Sequence, residues 1–211
     1  MAEIDILREA LNLSELALYG NSCGSTWIAP YAAENPGGLN AVIFASPFLA
    51  AEPYLRDAQV LREALPPEIL EVMMMHEAAE STHSDEYHAA VYTWYKRHVC
   101  RSEVWPDYLM RTIALFSNEL YEYMWGPSEA TLNGTLKTFD ARSDLQKINA
   151  PCWYVCGEYD EMTPASTEAF SKLSKNAKFS VIENASHTPH IEQRSIFMQQ
   201  ASAFLNGHAD S

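Results

Sequence analysis

Residues 20–24 read Gly-Asn-Ser-Cys-Gly, directly after the apolar run Leu16-Ala17-Leu18-Tyr19. A serine boxed between glycines, after a strand and before a helix, is the pattern of a nucleophile elbow. The turn forces strained dihedrals on the serine, so its neighbours must be small, and both Gly20 and Gly24 are expected to leave room for strand and helix to approach. The turn lifts the Ser22 hydroxyl above the sheet edge. The helix after it points unpaired N–H groups and its positive dipole end at the same place, so the Cys23 N–H is the expected donor to an oxyanion. Serine alone is a weak nucleophile and needs a base held by a third group. Gly157-Glu158-Tyr159-Asp160 and Asn184-Ala185-Ser186-His187 each come directly after an apolar run. They place an acid, Asp160, and a base, His187, in loops at strand ends. His190 is the rival base, but beside Pro189 at a helix start it reads as a structural contact.

Those loops need a scaffold. Asp5 to Leu13 has a helical pattern with Ile6, Leu7, Ala10 and Leu11 on one side. Leu16–Tyr19 is a buried strand, Cys23–Glu34 a helix stopped by Pro36-Gly37-Gly38, and Ala41–Ala45 a second strand. Strand, helix and strand in succession make a βαβ unit, hence parallel pairing. From Pro47 to about Asp144 the chain is rich in Glu, Ala, Leu, Met and Tyr at helical spacing. Three to five helices and no strand are expected there, as an inserted cap. The α/β rhythm returns with a strand at Cys152–Cys156, a helix at Pro164–Ser174, a strand at Lys178–Ile182 and a helix at Ile191–Leu205. The expected organisation is a core at 1–46, a helical cap at 47–144 and more core at 145–211.

The 211 residues fit one domain carrying an insertion, and an apolar fraction of 47% allows a sizeable core. With 28 acidic against 14 basic residues the formal charge is −14, which argues against nucleic acid or an anionic membrane as partner. The charged start, MAEIDILREALNL, does not read as a signal peptide, and no apolar run has the length of a membrane span. A cytoplasmic protein is expected. Cys23, Cys100, Cys152 and Cys156 match no zinc spacing and read as free thiols, with Cys152 and Cys156 on one face of a packed strand. His76, His83, His88, His98 and His208 read as cap-surface or tail residues. No metal and no cofactor is expected.

Six stretches carry a resemblance to a known family: GNSCGSTWIAPYAAENPGGLNAVIFASP, ALPPEI, HVCRSEVWP, MWGPSEATLNGTLKTFD, CGEYDEMTPAS and ASHTPHIE. In order and spacing they resemble the proline iminopeptidase branch of the α/β-hydrolases, serine aminopeptidases of the tricorn-interacting-factor type. The resemblance implies an α/β fold and a triad of Ser22, Asp160 and His187, in the chain order of that fold. It also implies that Glu129 and Glu161 grip the free N-terminal ammonium of a peptide or aminoacyl substrate. On its residue type alone Glu129 reads as a solvated helix acid. Trp125 is a candidate wall for a proline ring, with a plain core aromatic as the equal alternative. Cys23 stands where the family has a bulkier aromatic, which would tune the pocket.

The family also carries a long segment before the elbow, including a His-Gly-Gly-Pro-Gly loop that supplies a second oxyanion donor. The chain resembles only the family's later portion, the C-terminal half of an α/β-hydrolase fold: parallel strands 5–8 with flanking helices and an inserted helical cap. A fragment of an ordinary enzyme is the expectation. A short product, weak or inactive unless a second chain covers the exposed sheet edge, is the other reading. The expected activity is a serine hydrolase that releases an N-terminal residue, preferably proline, through an acyl-enzyme. The alternatives are an esterase, a tailoring amidase acting on a small aminoacyl metabolite, or an inactive truncated remnant.

Overall fold

The computed structural model describes residues 2–207; His208 and the rest of the tail lie outside the described residues. After helix α1 (Ala2–Leu11) come strand β1 (Leu16–Asn21), a 3₁₀ turn (Ser22–Gly24), α2 (Ser25–Ala33) and β2 (Leu39–Ala45). Helices α3 (Ala51–Glu63), α4 (Pro67–Ala78), α5 (Asp85–Trp94), α6 (Asp107–Ala114) and α7 (Asn118–Met124) come next, with a π-helical turn at Tyr95–Val99. A short α8 (Arg142–Leu145) leads to β3 (Cys152–Gly157), α9 (Pro164–Ser171), β4 (Ala177–Ile182), α10 (Pro189–Glu192) and α11 (Arg194–Asn206).

The four strands form one parallel sheet in the order β1-β2-β3-β4, with Gly20 opposite Phe44, Phe44 opposite Tyr154 and Val155 opposite Ser180. Side chains alternate across it, as the pleat requires. Val42, Phe44, Cys152 and Tyr154 face α2, α8 and α9, burying Ile28, Ala32, Leu145 and Phe170. Ala41, Ile43, Trp153 and Val155 face α11 and its Phe197, Ala201 and Phe204. With both faces covered, β2 and β3 read as nearly continuous apolar runs. The polar ends of the buried rings are met: Tyr154 Oη lies 2.6 Å from Ser174 Oγ, and Trp153 Nε1 donates to Ser180 Oγ at 3.0 Å.

The helices between β2 and β3 have a core of their own, built on Phe48, Tyr54, Met73, Tyr87, Trp94 and Trp125. Met162, from the loop after β3, is part of it, and Cys23 packs against it, so this helical layer rests on the elbow and on the Asp160 loop. Inside it the Arg62 guanidinium makes a two-armed pair with Glu77, at 2.8 and 2.7 Å, while Thr131 and Tyr87 also donate to that carboxylate. Among the described residues, its strand-like pairings are isolated bridges, Ala50 with Asp140 and Ser128 with Thr131.

Three expectations need correction. The helix read over Ile191–Leu205 is two, because Gln193 (φ −127°, ψ 49°) leaves helical geometry between α10 and α11. The strand at Leu16–Tyr19, read as buried, is only half covered, with Ala17 and Tyr19 exposed, as are Ile6, Leu7 and Leu11 on α1. Nor are all the cap histidines on the surface. His83 and His88 are, but His76 is buried and its ring bonds Ser81 and Glu86, while His98 is half-buried in the π-helical turn.

Candidate active site

Ser22 has φ of 53°, a left-handed conformation that a non-glycine residue holds only when its surroundings impose it. The surroundings are β1 on one side and the 3₁₀ turn running into α2 on the other. Gly20 makes the crossing possible. A Cβ there would lie 2.7 Å from Ile28 Cδ1 and 3.0 Å from the Gly24 backbone. Gly24 has no such duty: a Cβ on it would meet nothing within 4 Å. The expectation that both glycines clear space is therefore corrected, since only Gly20 is pressed. Cys23 lies in the first turn, where N–H groups lack carbonyl partners within the helix. Its own carbonyl is occupied by the Thr26 hydroxyl at 2.7 Å.

The loops after β3 and β4 meet. His187 Nδ1 lies 2.9 Å from Asp160 Oδ1, and both side chains are buried. A carboxylate only accepts, so Nδ1–H donates and Nε2 is left free. Asp160 is held by the N–H groups of Gly157 (3.2 Å) and Met162 (2.9 Å). The close approach of the two loops depends on Gly157, where a Cβ would come within 2.2 Å of the Ser186 carbonyl oxygen and 2.5 Å of Ala185. No hydrogen bond joins the Ser22 hydroxyl to His187. Such bonds are commonly long before substrate binds.

Two further carboxylates adjoin the imidazole. Glu161 is buried; its Oε2 accepts from Trp94 Nε1 at 2.7 Å, while its Oε1 has no hydrogen-bond partner and lies 3.8 Å from His187 Nδ1. Burial, reinforced by the nearby Glu129 charge, pushes the Glu161 carboxyl well above its usual range. Glu129 lies in a turn and is partly buried, which corrects the reading of it as a solvated helix acid. Its carbonyl is gripped by the Tyr54 hydroxyl and by Trp125 Nε1 at 3.4 Å. Burial raises the Glu129 carboxyl as well, opposed by the His187 charge and by Tyr121. Trp125 is itself closed into the cap core, edge-on to Phe48 at 4.7 Å and to Tyr54 at 5.0 Å. In this conformation it supports the Glu129 turn.

Burial alone would push His187 down. The Asp160 charge and hydrogen bond, together with Glu161 and Glu129, outweigh it, and the imidazole is raised to about 10. Burial is also the main reason the Cys23 thiol is pushed up to about 12, with Glu129 and Glu161 adding to it. A neutral thiol beside the serine is no competing nucleophile at neutral pH. His190 is not placed as the rival base: its ring packs edge-on against Phe197 at 5.9 Å and makes no hydrogen bond to Asp160.

A family model described as the alpha/beta hydrolase fold matches residues 2–193. A proline iminopeptidase of Heyndrickxia coagulans is 38% identical over 205 residues, covering 97% of this chain and 71% of that protein. The chain is a proline iminopeptidase-like α/β hydrolase. A second such relative of the hydrolase, from Flavobacterium johnsoniae, is 30% identical and is covered to 70% of its length. Among solved structures, VinJ superposes with a TM-score of 0.94 at 32% identity, over 98% of this chain and 71% of that one. The proline iminopeptidase of Mycobacterium smegmatis superposes at 0.89 with 28% identity, over 98% and 70% of the two chains. Among the described residues of the hydrolase, no helix is long and apolar enough to cross a membrane.

Sequence reasoning gave no role to Gly157 and Glu192, and it read His98 as a cap-surface residue. The close packing at Gly157 had no local signal. His98 meets Tyr159 from far away in the chain, and Glu192 joins its near neighbours Ser186 and Thr188 to the distant Arg101.

Proposed function

We propose that this hydrolase is a serine aminopeptidase that releases an N-terminal residue, preferably proline, from peptides or amides. The observation that carries the reading is the buried His187–Asp160 pair with Glu161 Oε1 unpartnered 3.8 Å from the same imidazole nitrogen. It supports a base and an amine site built side by side. The core, 1–46 and 145–211, carries the bond-breaking groups, and the cap, 47–144, contributes Glu129 and closes over them.

In this reading Ser22 Oγ attacks the carbonyl carbon of the N-terminal residue, and His187 Nε2 takes the hydroxyl proton. Nδ1 is committed to Asp160, so Nε2 alone is available to the serine. Asp160 fixes the ring through Nδ1–H and stabilises its cation. The Cys23 N–H faces the oxygen that becomes negative. When the tetrahedral centre collapses, the C–N bond breaks and His187 returns the proton to the leaving amine. Water, activated by the same imidazole, then cleaves the acyl–serine bond. Glu129 and Glu161 hold the substrate's ammonium, which an internal peptide bond lacks, so the pair selects chain ends. Burial of Glu161 strengthens its charge-assisted contact, and the bound cation offsets the repulsion between the two carboxylates.

The test is a fluorophosphonate probe together with a matched substrate pair. Labelling of the wild type that vanishes in Ser22→Ala is expected, and a folded wild type that takes no label overturns the reading. Glu129→Gln should raise KM for prolyl p-nitroanilide by about tenfold or more, as loss of a charged contact implies, and leave a simple acetyl ester nearly unchanged. Equal losses on both substrates would show an esterase-type site in which the carboxylates bind nothing.

A further inference from the structure

His187 lies in an irregular stretch between β4 and α10, so something other than secondary structure must hold it. Its neighbours on both sides turn to one carboxylate. Glu192 Oε2 accepts from Ser186 N–H at 2.9 Å, from the Ser186 hydroxyl at 2.9 Å and from the Thr188 hydroxyl at 3.1 Å. Glu192 Oε1 accepts from Arg101 N–H at 2.8 Å, across 91 residues of sequence. With Ser186 and Thr188 both drawn toward Glu192, the ring between them faces the other way, onto Asp160. Arg101 lies just past the π-helical turn of the cap, and that turn meets the same loops again. The His98 carbonyl accepts from His187 N–H at 3.1 Å, and the Val99 carbonyl, 3.1 Å from the Thr188 hydroxyl, shares that one proton with Glu192. His98 Nδ1–H donates to the carbonyl of Tyr159, the residue before Asp160, at 3.0 Å, and the Arg101 guanidinium lies 3.9 Å over the Tyr159 ring. A π-helical turn within an α-helical layer is a frequent mark of a functional site.

We propose that Glu192 is a positioning residue: its carboxylate grips the residues on either side of His187, Ser186 through its N–H and hydroxyl and Thr188 through its hydroxyl, and fastens that loop to residues 98–101 of the cap. Both oxygens are occupied, and all the donors come from the histidine loop or the cap. Charge-assisted bonds of this kind are about twice as strong as neutral ones. Rotating the His187 backbone away from Asp160 requires breaking several of them together. The clamp thus couples the register of the base to the seating of the cap. Only the activity readouts of this proposal rest on the aminopeptidase reading; the placement of the imidazole does not.

The decisive variant is Glu192→Gln, which keeps the shape but sets an N–H₂ group against at least one of the donors. The readouts are prolyl p-nitroanilide kinetics, the fluorophosphonate labelling rate and the downfield proton NMR resonance of His187 Nδ1–H. A displaced base costs on the order of 10²-fold in rate. The expected result is that loss in kcat, a KM within about twofold of wild type, slowed labelling, and broadening or disappearance of the resonance in a protein that still melts cooperatively. A folded variant with an unchanged resonance and labelling rate overturns the proposal. A role in stability alone would lower the melting temperature and leave both of those readouts in place. Should Glu192→Gln fail to fold, Thr188→Val removes the hydroxyl that touches both Glu192 and Val99 and is judged by the same resonance. If the wild type shows the resonance but takes no label, the aminopeptidase reading falls, and the resonance alone still decides the clamp.

Discussion

At the scale of single residues, the site's defining feature is an imidazole crowded by acids. His187 is raised to about 10 by Asp160, Glu161 and Glu129 acting against burial. In the proposed mechanism the serine needs the neutral imidazole, so its reactivity is expected to climb as pH rises through that value. Glu161 takes part only when it is ionised, above its own raised value, and its Oε1 is then a negative charge 3.8 Å from the ring nitrogen. Replacing it with glutamine removes a charge that holds the proton on His187. In Glu161→Gln the acid limb of fluorophosphonate labelling should therefore move to lower pH, by about one unit or more for a charge at that separation. An ammonium group bound between the two glutamates has the same sign of effect. The kcat limb for prolyl p-nitroanilide should therefore lie below the labelling limb of the free wild type. Coincident limbs would mean that the amine does not approach the carboxylates. The proposed roles differ in how far the sequence reveals them. Ser22, Asp160 and His187 are legible because each comes after an apolar strand in a loop of telling composition. Glu129 and Glu161 are ordinary acids to any residue-level reading, and only resemblance singles them out. His98 and Glu192 are silent, because Tyr159 and Arg101 are brought to them only by the fold and no residue-level pattern marks the contacts of Glu192 with nearby Ser186 and Thr188.

At the scale of elements, three glycines that look alike in the sequence have different work. Gly157 permits the β3 loop to lie against the β4 loop, and an added methyl would collide with the backbone of Ala185 and Ser186. Backbone cannot rotate aside as a side chain can. Gly157→Ala should cost about 1–3 kcal/mol by overpacking, read as a lower urea midpoint, and it should slow labelling by prising Asp160 from His187. Gly20→Ala meets the end of the Ile28 side chain, which can yield, and the Gly24 backbone at 3.0 Å, a looser approach than the 2.2 Å at Gly157, so a smaller loss is expected. Gly24→Ala meets nothing and its φ is −57°, already helical. It should be neutral or stabilising by up to about 1 kcal/mol, with labelling unchanged. A destabilised Gly24→Ala would show that the elbow needs both glycines after all. The strand–turn–helix alternation was legible in outline because apolar runs and proline or glycine stops coincide with the elements. What escaped was set by tertiary contact: the break at Gln193, the π-helical turn in the cap and the burial of His76 depend on packing partners that no local pattern names.

At the scale of the whole molecule, the sheet has two edge strands, β1 and β4. β2 and β3 are paired on both sides, whereas β1 pairs only with β2 among the described residues. Beside that edge Tyr19 is 48% exposed, and α1 turns Ile6, Leu7 and Leu11 outward. An open apolar edge offers unpaired N–H and C=O groups to any other strand. The formal charge of −14 opposes association in general, but it is spread over the molecule and screened by salt beyond about 8–10 Å. The edge is a local, short-range attraction, so it should prevail as ionic strength rises. The polypeptide of residues 1–211 is therefore expected to associate with increasing salt and concentration, measurable by light scattering or sedimentation. Lysine at an edge is a natural deterrent to such pairing. Ala17→Lys changes an exposed position of β1 and no residue of the site, so it should raise the monomer fraction while leaving the rate of fluorophosphonate labelling per monomer unchanged. Association that persists equally in Ala17→Lys would place the contact elsewhere, with the outward apolar side of α6 and α7, where Leu115 is 85% exposed, as the next surface to charge.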